Sequence, residues 1–97
     1  MDDLTQMRRE IDRIDRQIVA LFEQRMAVTS QVGQYKSRRG LPVLDRGRER
    51  QLLAGKTALL DDPGLSADVT ELFETILSIS RRQQRRLVGR VQKADPA

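Results

Sequence analysis

The chain has no cysteine and no histidine. The first absence removes disulfides and thiolate nucleophiles. The second removes the usual proton shuttle near neutral pH and the commonest metal ligand. Any chemistry here runs on carboxylates, amides, hydroxyls and cations, and no metal site is expected. Tryptophan is absent too, and 97 residues hold one Tyr and two Phe. That leaves little to fill a thick interior and no aromatic platform on which bases could stack. Apolar runs fall far short of a bilayer span, and no hydrophobic targeting segment follows Met1. A cytoplasmic location without membrane contact is the expectation.

Charge is what the chain has in quantity: 33% of residues are charged against 38% apolar, with a net charge of +4. A basic balance favours anionic partners, from polyanions to small acids. The length suits one small domain, near the lower limit for a self-sufficient core. An elongated helical chain that shares its core with a partner is less demanding than a globule.

Ile11, Ile14, Ile18, Leu21, Phe22, Val28 and Val32 recur at helical spacing, which predicts an amphipathic helix from Leu4 to about Arg38. Such a helix is about 50 Å long, whereas a compact domain of this size has a radius of gyration of about 13 Å. It must protrude, so a dimer or larger assembly is expected. In "RRGLPV" (38–43), Gly40 is the expected C-cap and Pro42 the stop. Asp45 is the expected N-cap of a second helix to about Leu60, weakened by Gly55. "LDDPGLSAD" (60–68) reads as a turn, with Ser66 as N-cap of a third helix. That helix is expected to reach about Val88 or beyond, with "ADPA" frayed at the end. The expected fold is all-α, long–short–long, in a single domain over 1–97 with a core at about 5–88 and a basic tail at 89–97.

Several polar residues stand where this pattern calls for apolar ones. Arg25 lies in mid-stripe between Leu21 and Val28, Lys36 continues the line beyond Val32, and Arg8 lies at its edge. Long cations often reach from such a seam to water. A mid-helix guanidinium with apolar neighbours instead calls for an anion, because an unpaired buried charge is costly. On the third helix Ser80 and Gln84 interrupt the stripe that Val69, Phe73 and Ile76 begin. A polar pair fixing helix register is the plainer reading of those two. Arg81, Arg82, Arg85 and Arg86 fall mostly away from the stripe and read as a solvated face. Arg25 and Lys36 are about 16 Å apart along the axis, close enough to lean toward one ligand. Arg8 is about 25 Å from Arg25 and can join them only from a second, antiparallel copy.

These residues resemble a known family, the all-helical chorismate mutases of the AroQ class. "MRREIDRIDRQIVALFEQRMAVTSQVGQYK" (7–36) is similar to the family's first helix, with the spacing "R..ID.ID..I..L...R......G..K". "LPVLDRGRE" (41–49) and "LFETILSISRRQQ" (72–84) resemble the later parts of its active-site set, and the likeness covers about residues 5–88. The resemblance implies an intertwined homodimer of three-helix protomers, chorismate as substrate, prephenate as product and no cofactor. The reaction is a unimolecular pericyclic step in phenylalanine and tyrosine biosynthesis, so the missing Cys and His are no obstacle.

By the same resemblance, Arg25, and Arg8 from the other subunit, clamp the two substrate carboxylates, for which guanidinium geometry is suited. Lys36 contacts a carboxylate and the ether oxygen, and Gln84 donates its amide N–H to that oxygen. Glu49, helped by the Asp45 backbone, holds the ring hydroxyl, while Arg48 and Ser80 complete the ring-carboxylate side. An amide at position 84 donates at any ordinary pH, whereas a glutamate there confines activity to acid.

Alternatives of the same fold are an isochorismate-pyruvate lyase and an amino-deoxychorismate mutase. A regulatory partner that needs another pathway enzyme is a further one. From a different class comes a basic helical dimer that binds nucleic acid through "RRQQRR" and "KSRR". The mutase is favoured, with no nucleic acid expected. Relatives exist fused to prephenate dehydratase, prephenate dehydrogenase or the first shikimate-pathway enzyme. A chain of this length is expected to be a mutase alone, free-standing or excised.

Overall fold

Thirty-seven residues, Asp3–Arg39, form one continuous helix, α1. The structure, a computed structural model, describes the backbone of residues 2–94 and the side chains of residues 2–87. The expected fraying of "ADPA" from position 95, and the side chains of the basic tail, lie outside the described residues. At the start of α1 the Asp2 carboxylate accepts from Thr5 N at 2.6 Å. Hydrogen bonds from Thr5 hold that carboxyl below the usual carboxylate range. Gly40 ends the helix at φ 67°, where a side chain would be strained. Its N–H bonds Ser37 O at 3.3 Å and Leu41 N bonds Lys36 O at 2.9 Å, the paired closure of a Schellman motif. Lys36, Arg38 and Arg39 sit in the last turn, where the helix dipole favours cations.

The second helix, α2, spans Arg46–Ala58 and passes through Gly55 without interruption. Asp45 caps it as expected, its side chain accepting from Arg48 N at 3.0 Å. The helix closes at Ala58 rather than Leu60, because the amides of Leu59 and Leu60 turn back to the carbonyls of Lys56 and Thr57.

The third helix, α3, spans Ser66–Ala94. Ser66 is not its N-cap: a 3₁₀ turn, Pro63–Leu65, winds directly into α3, and Ser66 already has helical dihedrals (φ −58°, ψ −46°). The cap lies earlier, at Asp62, which accepts from Gly64 N at 2.9 Å. Proline suits the first position of that turn because its missing N–H has no partner there anyway.

Both other helices pack against α3. Along the α1–α3 seam the pairings advance together, Arg25 with Ser80, Thr29 with Gln83 and Gly33 with Leu87, so the two helices run the same way. Along the α2–α3 seam Glu49 meets Arg81 while Lys56 lies over Phe73, so α2 runs opposite.

The result is a long, thin body, 64 × 28 × 14 Å, with a radius of gyration of 17.6 Å. A compact domain of this length has about 13 Å. Among the described residues only Leu52 and Leu77 are buried large apolar side chains, each 8% exposed. The stripe of Ile11, Ile14, Ile18, Leu21 and Val28 stands exposed along α1. An apolar seam of that extent marks an interaction surface. Among the described residues no helix is long and apolar enough to cross a membrane.

Candidate active site

Where α1, the 40–45 linker, α2 and α3 converge, they enclose a cleft of about 170 Å³ that is open on one side. Each element contributes one face at helical spacing. From α1 come Arg25, Thr29, Val32 and Lys36, and from the linker Val43 and Asp45. Arg48, Glu49 and Leu52 project from α2, and Leu77, Ser80, Arg81 and Gln84 from α3. Seven of the eight residues singled out from the sequence therefore line one cleft. Arg8 does not; it is exposed on the N-terminal half of α1, about 25 Å along the axis from Arg25.

Cations dominate the lining. Arg25, Lys36, Arg48 and Arg81 face two acids, Asp45 and Glu49, a net charge of +2. Arg25 donates from Nη1 to Ser80 Oγ at 2.9 Å. Burial lowers its pKa from the ordinary guanidinium value, and the nearby Arg48 adds to the effect. Among the described residues neither Arg25 nor Arg48 has a carboxylate partner. Burial disfavours the charged form of Arg25, and with Arg48 nearby and no carboxylate on either, the site gains by taking up an anion. The ammonium of Lys36 is aimed by a neutral acceptor, Val43 O at 2.9 Å, and forms no ion pair among the described residues.

The polar residues of α3 are the most deeply covered in the cleft. Ser80 is 4% exposed and Gln84 7%. The Ser80 hydroxyl donates to Ile76 O at 2.9 Å and accepts from Arg25. Both its roles are filled and no base adjoins it, so it is not set up as a nucleophile. Gln84 Oε1 has no partner among the described residues. That oxygen is an acceptor, so what it lacks is a donor, from water or a ligand, while the amide N–H of the same side chain is the group able to donate.

Gly33 explains how Gln84 reaches this depth. A Cβ at Gly33 would lie 3.0 Å from Gln84 Cγ and 3.2 Å from Leu87 Cδ1. Any side chain here would force Gln84 and Leu87 to give way by a few tenths of an ångström, so glycine lets α3 close tightly against α1. Beside it, Thr29 donates to Gln83 Oε1 at 2.8 Å and Gln83 Nε2 donates to Met26 O at 2.9 Å, tying the two helices together.

One sequence reading is overturned. Arg81 was grouped with a solvated face, but it lines the cleft and forms an ion pair with Glu49 across α2 and α3. It follows Ser80 by one residue, so a wheel of α3 alone turns it off the stripe; α2 packs on that flank and encloses it. Thr29 and Gln83 were also missed, because a hydrogen-bonded polar pair leaves no mark on apolar periodicity. Asp45 is committed to the start of α2 through both its side chain, where Oδ1 accepts from Arg48 N, and its carbonyl, which accepts from Glu49 N at 3.0 Å. Among the described residues no cluster of acidic side chains is arranged to hold a metal ion.

The arrangement fits recognition of a small dianion without covalent chemistry. The model of the family described as chorismate mutase type II matches residues 7–85. Over 71 residues, 73% of this chain, the sequence is 38% identical to the T-protein of Haemophilus influenzae. It is 38% identical over 52 residues, 54% of the chain, to a bifunctional chorismate mutase/prephenate dehydratase of Aquifex aeolicus. These matches span 19% and 14% of the relatives' own lengths, so the chain corresponds to a fifth of them or less. Among solved structures, a conserved hypothetical protein from Pyrococcus furiosus aligns with a TM-score of 0.72 at 32% identity. That alignment covers 87% of this chain and 97% of the other.

Proposed function

The chain belongs to the chorismate mutase type II family, and from that premise we propose that its cleft converts chorismate to prephenate. The observation that carries the reading is the unpaired Arg25–Arg48 couple in a cleft of net charge +2, with the buried Gln84 amide beside it. Chorismate brings two carboxylates, and their charge matches that excess.

The rearrangement needs no nucleophile, because one carbon–oxygen bond breaks as one carbon–carbon bond forms within a single molecule. Catalysis then consists of holding the reacting ends in a near-attack conformer and stabilising negative charge on the ether oxygen. Arg25 and Arg48 bind carboxylates, with Ser80 orienting Arg25 through its 2.9 Å contact. The Lys36 ammonium and the Gln84 amide N–H meet the ether oxygen as its bond lengthens. Glu49 accepts from the ring hydroxyl.

The proposal extends to a homodimer. The exposed apolar stripe of α1 supports it, since a second α1 of the same pattern covers such a seam. An antiparallel pairing carries Arg8 of one copy toward the cleft of the other, where it serves as the second carboxylate clamp. A cytoplasmic location belongs to the same reading, with a freely soluble metabolite as substrate.

The test is incubation of the purified chain with chorismate and, separately, isochorismate, with the products identified. Prephenate from chorismate is expected. Release of pyruvate from isochorismate, with chorismate untouched, overturns the assignment in favour of a lyase.

A further inference from the structure

The ion pair between Arg81 and Glu49 joins α3 to α2 at the wall of the cleft, and both side chains are about a quarter exposed or less (25% and 21%). The bond runs from Arg81 Nη1 to Glu49 Oε1; the other carboxylate oxygen accepts nothing among the described residues. Glu49 projects from the first turn of α2, where the helix backbone already fixes its base.

A bare carboxylate at this position conflicts with the rest of the site. Glu49 is the group the proposed reaction uses to accept a hydroxyl, yet the same cleft must admit a substrate with two carboxylates. Like charges a few ångströms apart repel strongly where water is displaced. Arg81 meets both requirements at once. It cancels the charge that a dianion approaches, and it immobilises one oxygen so that the other faces a fixed direction.

We propose that Arg81 is a positioning residue for substrate binding: through the Glu49 carboxylate, it converts a repulsive acid into an oriented acceptor for the ring hydroxyl. Arg81 does not touch substrate itself, and its influence passes entirely through Glu49. This rests on the mutase reading above.

The experiment is a double-mutant cycle in the full chain with chorismate as substrate, using Arg81→Met, Glu49→Gln and the pair, with melting curves for each. Arg81→Met is expected to raise KM about ten-fold with a smaller change in kcat, the pattern of lost ground-state binding. In the Glu49→Gln background, where no charge remains to be neutralised, the same substitution is expected to change KM less than about two-fold. Arg81→Lys, which keeps the charge but not the fork, recovers part of the loss. Equal losses in both backgrounds overturn the proposal, because Arg81 then meets substrate directly. A lowered melting temperature with unchanged kinetics overturns it in favour of a strut between helices. If Arg81→Met does not fold, Arg81→Gln, which also removes the charge, carries the same cycle. A wild-type chain that leaves chorismate unconverted sinks the mutase reading and this proposal together; an active wild type with an indifferent Arg81 sinks this proposal alone.

Discussion

The two ends of α1 invert the usual rule of burial in opposite ways. Toward its C-terminus the helix joins α3 over a cleft where the best-covered side chains are polar, Ser80 at 4% and Gln84 at 7% exposure. Toward its N-terminus large apolar side chains stand in solvent, Ile11 at 54% and Ile18 at 57%. Burying polar groups costs free energy unless they gain partners, and exposing an apolar stripe forgoes the main driving force of folding. One end is thus shaped for a small polar ligand and the other for an apolar surface. Each is incomplete in the chemistry of what it lacks.

That contrast predicts where substitutions act. At the ligand end, Lys36→Ala or Gln84→Ala is expected to lower kcat by about 10²–10³-fold, the scale of a lost transition-state hydrogen bond. Their melting temperatures should stay close to wild type, since Lys36 has one neutral partner and Gln84 Oε1 has none. Near-normal turnover in either variant breaks the assignment of that end.

At the apolar end, Ile11→Glu is expected to shift the chain toward monomer in sedimentation and to lower turnover about 10²-fold, through loss of the second clamp. A monomeric variant with full activity shows that Arg8 is dispensable. Between the ends, Gly33→Ala inserts a methyl against Gln84 Cγ at 3.0 Å. Overpacking of this kind costs about 1–3 kcal/mol, and displacement of the amide should reduce kcat about ten-fold with little change in KM. Denaturant melts and steady-state kinetics measure the two effects separately. The smallest expected effect is that of pH: with an amide at position 84, activity should change little between about pH 5 and pH 7, because amides do not titrate there. A steep decline over that interval argues against Gln84 as the donor.

The helices and most of the cleft were legible because both follow from periodicity. Arg25, Ser80 and Gln84 betrayed themselves as polar residues in apolar stripes, and Asp45 and Gly40 as caps. Arg81 stayed hidden for a geometric reason: its role depends on the side from which α2 approaches, and no wheel of α3 contains that information. Ser66 was misread because the sequence signal of a cap does not show that a proline turn has already started the helix. Gly33 appears in the sequence only as the glycine of the first-helix motif, and its purpose emerges where Gln84 crosses it.

One contact bears on how such a site tolerates change over generations. Lys36 is aimed by the backbone carbonyl of Val43, not by a side chain. Every amino acid supplies that oxygen, so the codon for residue 43 can drift without erasing the acceptor. A cation oriented in this way is insulated from the commonest kind of mutation. Between the caps at Gly40 and Asp45, the linker's length and path, more than its letters, are what selection has to preserve.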